Sequence, residues 1–368
     1  MGAPGKPLLL WGAFGLLFLL PGCQRVEERP ALVQRGWVMG TSYLVKVTHL
    51  PGGVDPAEVR RSVAMALAEV DRNMSTYLVD SEVSRFNQSR STDWFPVSKG
   101  LATVVAAALE IGRKTGGAYD ITVAPLVNLW GFGPEGRRGE PPPSKEIEHV
   151  RRRVGYRKLS VWLDPPALRK EIPELQIDLS SIAKGYGVDR AAQALERFGI
   201  QDYLIEVGGE VRTRGERPGG GPWRVAIERP HRRGGIAEIV PLSGLAIATS
   251  GDYRNYFEKG GRRYSHTIDP RTGRPVQHHL TSVSVLHREA MWADGWATAL
   301  MVLGEEEGFK LAERETLPAL LMVKTPKGVR RLATSAWKAL FTKGTGSMDR
   351  IYGTSGRRSP GGRFTKAE

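Results

Sequence analysis

The sequence predicts an α+β fold. Strand-like and helix-like segments occur in comparable number, hairpin turns fall among the strands, and no short tandem repeat organises the chain. That mixture argues against a doubly wound parallel sheet. In chain order, residues 37–47 alternate as one strand. Asp55-Pro56-Ala57-Glu58 is a helix start, with Asp as N-cap, Pro at the first helical position and Glu at the third. Val59, Val63, Leu67, Val70 and Met74 follow at helical spacing. Ser98 caps a further helix that buries Leu101, Val104, Val105, Ala108 and Leu109 and stops at Gly116-Gly117. Residues 134–146, rich in Pro, Gly and charge, form a loop. A helix runs over 184–198 and ends at Gly199. Strands are expected at 203–207, 223–228 and 246–249, and Gly260-Gly261 turns a hairpin between 256–259 and 262–268. A helix over 290–303 ends at Gly304, and a late strand covers 317–323.

The ends of the chain set its compartment and its charge. Lys6 and the free amine precede an apolar run over 8–20, which is short for a membrane span and fits a signal segment. Leu20-Pro21-Gly22-Cys23 resembles a bacterial lipobox, with Cys23 the single cysteine of the chain. Residues 1–22 are therefore expected as a lipoprotein signal peptide, and 23–35 as a lipidated Cys23 and tether. The mature chain is then lipid-anchored on the extracytoplasmic, periplasmic face of a bacterial membrane. With no second cysteine, no disulfide supports the fold. About 345 residues remain, enough for one large domain or two closely joined ones. The net charge is +14, and residues 324–368 hold eleven Lys or Arg against the acids Asp349 and Glu368. Residues 343–368 lack apolar periodicity and are expected as a basic, disordered tail. Anionic lipid suits such a tail on an exported chain better than nucleic acid, which is not expected as a partner.

Two segments carry the densest chemistry. Residues 178–189 are a polar turn opening a helix. Residues 293–298 place Asp294 and Thr298 four apart on one face of an otherwise apolar helix. An inward carboxylate needs a partner, and few protein oxygens completed by a phosphate are the usual setting of Mg²⁺ at a nucleotide. Asp120, after Gly116-Gly117, is placed to accept from a heterocycle or a ribose, although a helix cap and turn account for the same residues. Gly208-Gly209 after a strand either present amides to an anion or make a bend. His266 lies in the polar stretch 249–275, where Asp269 is placed to orient its imidazole. Cys/His metal spacing, a G-x-S-x-G elbow and a Walker A motif are absent.

Eight segments then fall in one order: Met39-Gly40-Thr41; Ser75-Thr76-Tyr77 with 81–87; Gly117 to Val123; Asp178 to Asp189; Val207-Gly208-Gly209-Glu210; Ala248 to Tyr253; Tyr264-Ser265-His266-Thr267-Ile268-Asp269-Pro270; and Ala293-Asp294 to Thr298. Over residues 36–342 the chain closely resembles the ApbE family, the FAD:protein FMN transferases. Ser181 stands where Gly is common and Thr267 where Ile is common. The resemblance implies a T-fold-like α+β architecture of mixed and antiparallel sheets with packed helices and a flavin cleft between the halves. It implies Mg²⁺-dependent transfer of FMN from FAD to a Thr or Ser hydroxyl of an acceptor protein, with release of AMP. The acceptor it implies is a subunit of a membrane redox complex. It assigns flavin-nucleotide contacts to Met39, Tyr77, Ala118, Tyr119, Asp120 and Ile268. The 178–186 segment, with Asp178 and Lys184, is expected to line the site. The metal is expected on Asp294, Thr298 and the backbone carbonyl of Ala183. His266 is assigned as the catalytic base. Two other readings share these residues: an FAD pyrophosphatase releasing FMN and AMP, and an anchored flavin-binding protein without catalysis.

Overall fold

The computed structural model describes residues 29–341, apart from 135, 137, 231–233 and 253–254. The signal segment, Cys23, Tyr253 and the 343–368 tail lie outside the described residues. An eight-stranded sheet runs through the molecule, and its spatial order follows chain order: Leu32–Val38, Thr41–Val47, Tyr203–Val207, Glu210–Arg214, Ala246–Gly251, Leu280–His287, Ala319–Thr325 and Gly328–Ala333. Every neighbouring pair is antiparallel. The helices are α1 (Pro56–Met74), α2 (Glu82–Gln88), α3 (Lys99–Lys114), α4 (Ala124–Leu129), α5 (Ser144–Arg151), α6 (Ala183–Glu196), α7 (Ala290–Arg314) and α8 (Ser335–Phe341).

The period-2 pattern of the strands divides the core into two layers. In Ala319–Thr325, the side chains of Ala319, Leu321 and Val323 join the core under the helices, with Leu101, Ile111 and Leu300. Leu320 and Met322, between them, join a second core with Trp337 and Leu340 of α8. Ile227, Val240 and Leu242 complete that second layer. They come from a separate hairpin of Trp223–Glu228 and Ile236–Leu242. The expected α+β class and antiparallel pairing are thus what the chain adopts.

Capping chemistry explains where the helices start. Asp55 accepts from the Ala57 amide at 2.8 Å, with Pro56 at the first helical position. Ser98 caps α3 through the Leu101 amide at 3.2 Å, and the Glu82 carboxylate accepts from the Ser98 amide and hydroxyl at 2.6 Å each.

Three expectations change. The single strand over 37–47 is a hairpin, because the chain reverses at Met39 and Gly40 with φ of 50° and 68°. Its first strand begins at Leu32, inside the segment expected as tether. The helix expected to stop at Gly304 leaves helical geometry there (φ 79°, ψ −175°) and then resumes to Arg314. The left-handed φ favours glycine, and the space a Cβ would take holds the His278 ring at 2.7 Å.

Candidate active site

A cavity of about 710 Å³ opens where turns of the large sheet meet the N-terminal end of α6 and the middle of α7. Tyr77, Ala118, Tyr119, Asp120, Asp178, Lys184, His266, Ile268, Asp294 and Thr298 all line it. The fold therefore gathers into one cavity residues that the sequence scatters over more than two hundred positions.

Met39 and Ala183 stand just outside that lining. Met39 occupies the left-handed turn, and its Cε lies 2.7 Å from where a Cβ on Gly187 would be. It packs on α6 while its neighbours Thr41 and Ser42 face the cavity. A non-glycine residue at positive φ is backbone strain, which concentrates at functional sites. Ala183 is the first residue of α6 and is buried.

The metal-directed cluster is built by two helices and two strands. Asp294 is 3 % exposed, and its Oδ2 accepts from the Gly185 amide at 3.0 Å. One helical turn on, the Thr298 hydroxyl lies 3.1 Å from the Ser250 hydroxyl. Lys184 Nζ donates to Glu210 Oε1 at 2.7 Å, and Glu210 Oε2 is buried with no hydrogen-bond partner among the described residues. Burial raises the Asp294 carboxyl above its ordinary range, with Lys184 working against the rise. Burial likewise pushes Glu210 up to about 8, opposed by Lys184 and reinforced by Asp294. Burial also opposes the charge on Lys184, but Glu210 and Asp294 outweigh it and leave its pKa raised.

Two buried carboxylates thus share one ammonium. An orphaned carboxyl oxygen and two hydroxyls beside two acids whose charges burial disfavours are a hard-oxygen donor set that fits a divalent cation. No group of three His, Cys, Asp or Glu side chains that could hold a metal occurs among the described residues. Such a cation would therefore draw its remaining oxygens from a substrate.

His266 sits in the break between the strands Arg262–Ser265 and Ile268–Asp269. Its Nδ1 lies 3.0 Å from the carbonyl oxygen of Asn255 and donates to it. That bond leaves Nε2 unprotonated in the neutral ring. Burial lowers the His266 pKa, opposed by the Asn255 bond and by Asp252. The expected orienting carboxylate, Asp269, does a different job: it binds the Arg271 amide at 2.9 Å and its guanidinium at 3.0 Å. Proximity in sequence misled here, because Asp269 is held by its own turn. Phe132 meets the His266 ring edge-on at 6.3 Å, and Phe257, Tyr264 and Trp130 stack behind it.

The remaining residues show how turn chemistry shapes the wall. Asp120 Oδ1 accepts from the Thr122 amide at 2.8 Å and its hydroxyl at 2.7 Å, and Oδ2 accepts from the Tyr156 amide at 2.7 Å. Its carboxylate holds the turn that follows α3. Tyr119 bonds Ser181 at 2.9 Å, and Asp178 Oδ1 accepts from Ser180 at 2.8 Å. The Gly208 and Gly209 amides are both used inside the protein, on Ser42 at 3.1 Å and Glu206 at 2.7 Å, so this segment is a bend and not an anion cradle. Sequence reasoning missed Ser250, Asn255 and the acid of Glu210 as site residues. For Glu210 the available signal was a carboxylate directly after Gly-Gly, at the first position of a strand.

Residues 39–321 match the ApbE family. The chain belongs to that family. It is 46 % identical to the FAD:protein FMN transferase of Vibrio cholerae over 90 % of this chain and 98 % of that protein. It is 42 % identical to the FAD:protein FMN transferase of Escherichia coli K12, covering 83 % of this chain and 87 % of that one. Among solved structures, the flavin transferase ApbE from Vibrio cholerae superimposes with a TM-score of 0.78, at 46 % identity over 84 % of this chain and 98 % of that one. The flavinyl transferase ApbE of Pseudomonas stutzeri, in its apo form, gives a TM-score of 0.78 at 42 % identity, over 85 % and 98 %. The ApbE architecture expected from the sequence is the one this chain has.

Proposed function

We propose that this chain transfers FMN from FAD to a Thr or Ser hydroxyl of an acceptor protein and releases AMP. The observation that carries the reading is one cavity holding both a half-buried neutral imidazole, His266, and a buried cluster of oxygen donors around Asp294. The 46 % identity to a FAD:protein FMN transferase supplies the substrates.

Asp294, Thr298 and the Ala183 carbonyl would hold Mg²⁺, with Ser250 and Glu210 beside them. When bound, the ion supplies charge neutralisation for the pyrophosphate oxygens. Tyr77, exposed on the rim, offers an aromatic face to a flavin or adenine ring. Tyr119 and Ser181 keep the inner wall ordered through their hydroxyl pair. His266 Nε2 takes the proton of the acceptor hydroxyl. The hydroxyl oxygen bonds to the phosphorus of the FMN half as the bond from that phosphorus to the bridging oxygen breaks, and AMP leaves with that oxygen. A base placed this way is worth roughly 10²–10⁴-fold. Lys184 keeps a positive charge beside the pyrophosphate, tethered by Glu210.

Cys23 and the residues before it support the further reading that the mature chain is lipid-anchored outside the cytoplasm, facing a membrane redox subunit as acceptor. The test is mass spectrometry and nucleotide analysis of the protein incubated with FAD, Mg²⁺ and a flavin-acceptor domain. Acceptor gaining one FMN with equimolar AMP is expected. FMN and AMP free in solution with unmodified acceptor would favour hydrolysis, and intact bound FAD would favour a binding protein.

A further inference from the structure

Beside the cavity mouth, an ordered turn keeps large apolar side chains in water. Thr76 and Tyr77 line the cavity. Leu78 and Val79 follow directly, outside it, and are 37 % and 79 % exposed. The turn is rigid: the Ser81 amide donates to the Leu78 carbonyl at 3.2 Å, and the Gln88 side chain donates to the Val79 carbonyl at 3.0 Å. The Ser81 hydroxyl ties down the Ser75 carbonyl at 2.6 Å, and its oxygen caps α2. Val79 buries little on folding, and an apolar pair held in place by hydrogen bonds at the mouth of a ligand cavity is preorganised for contact with a partner.

We propose that the Leu78–Val79 turn is the docking lip for the acceptor protein, meeting an apolar side chain next to the acceptor hydroxyl. The inference rests on the transferase reading and adds to it the surface that recognises the second substrate. A cavity of about 710 Å³ takes a dinucleotide-sized ligand but not a folded protein. The acceptor must therefore lean on the rim while it inserts its hydroxyl. The lip is continuous with the cavity wall through Tyr77, so a segment bound there is already at the entrance. Anionic lipid is the poorer occupant, because the exposed Asp80 carboxylate follows Val79 directly.

The test compares wild type with Leu78→Ala, Val79→Ser and the double variant. Met65→Ala serves as a control for loss of an exposed apolar side chain elsewhere, Met65 being 70 % exposed. Three quantities are measured: acceptor-domain binding by interferometry, the KM for acceptor in FMN transfer, and FAD affinity from flavin fluorescence. The double variant is expected to weaken acceptor binding and raise its KM about tenfold, an effect of hot-spot size. FAD affinity and kcat stay within about twofold, and Met65→Ala behaves as wild type. Unchanged acceptor binding and KM overturn the proposal. So does a parallel loss of FAD affinity, which would place the turn in the nucleotide site. Loss of binding to phosphatidylglycerol vesicles with acceptor KM intact would assign the lip to lipid instead. If wild type binds the acceptor but transfers nothing, the transferase reading fails while the binding comparison still decides the lip.

Discussion

Asp189 accepts the backbone amide of Ala290, at the start of α7, across a distance of 2.9 Å. Its other oxygen accepts from Met291, also at 2.9 Å, so a carboxylate on α6 caps the helix that carries Asp294 and Thr298. The residue that precedes α7, Glu289, makes no side-chain cap of its own. Arg212 holds the Asp189 charge at 2.6 Å. One turn earlier on α6, the Gly185 amide reaches Asp294. The two helices that bear the metal-directed residues are thus clasped at two points.

Asp189→Ala should be among the most destabilising single changes near the site. It takes the nearest carboxylate from the Arg212 guanidinium, leaving only Glu196 at 3.9 Å, and strands two helix N-terminal amides. Breaking a buried, hydrogen-bonded pair from one side costs about 3–5 kcal/mol. Urea unfolding reads this directly, and a loss under 1 kcal/mol would mean that water replaces the clasp.

Gly185→Ala tests how closely the helices must approach. A Cβ there lies 2.3 Å from the Ala290 carbonyl oxygen, a backbone atom that cannot swing away. Overpacking of this kind costs about 1–3 kcal/mol. Because the helices must part, Asp294 also loses its Gly185 partner. Calorimetric titration of the FAD-loaded variant with Mg²⁺ should show weaker binding than wild type; equal affinity would show that the donors tolerate the shift.

Asp294→Ala removes the carboxylate on which the metal proposal turns. Transfer should fall at least about 10²-fold, the scale of a lost charge-stabilising group. Excess Mg²⁺ should not restore it. Activity preserved across a magnesium titration would refute the assignment.

His266→Ala should lower transfer by roughly 10²–10⁴-fold at saturating Mg²⁺, and near-normal turnover would remove His266 as the base. The pH profile carries the same information. Burial lowers the His266 pKa, so the free-base form persists below the usual histidine range. Wild-type transfer should fall only as pH drops through that lowered value, and the variant should lack this acid limb.

His287 gives a stability test. Burial pushes its pKa down to about 4, and its Nδ1 accepts from the Glu289 amide at 3.0 Å. The folded state holds the ring neutral while the unfolded chain protonates near 6.5. The favourable contribution is therefore full above pH 6.5 and is lost as pH falls toward 4, amounting to about 3 kcal/mol. The difference in unfolding free energy between wild type and His287→Gln should shift across that window by this order. A difference that is flat with pH would contradict it.

Local signals were legible from residue order. The caps at Asp55 and Ser98 and the Gly260-Gly261 hairpin each depend on atoms a few residues apart, and each is where the sequence placed it. The hairpin at Met39-Gly40 was not, because alternation runs unbroken through a turn that includes a left-handed methionine. Resumption of α7 after Gly304 was hidden for a similar reason: the kink is stabilised by His278, in the bend before the strand Leu280–His287, whose Nε2 donates to the Met301 carbonyl at 2.7 Å.

Residue order alone carries the fold class, the family and the chemical types at the site. The spacing that puts Asp294 and Thr298 on one helix face is a property of the α-helix alone. Tertiary structure decided which groups those residues meet. Glu210 beside Lys184, Ser250 beside Thr298, Asn255 behind His266 and Asp189 at the start of α7 are pairs set by strand register and helix packing. Those pairs control charge and tautomer, because burial makes each ionised group depend on the partner that packing brings within about 3 Å.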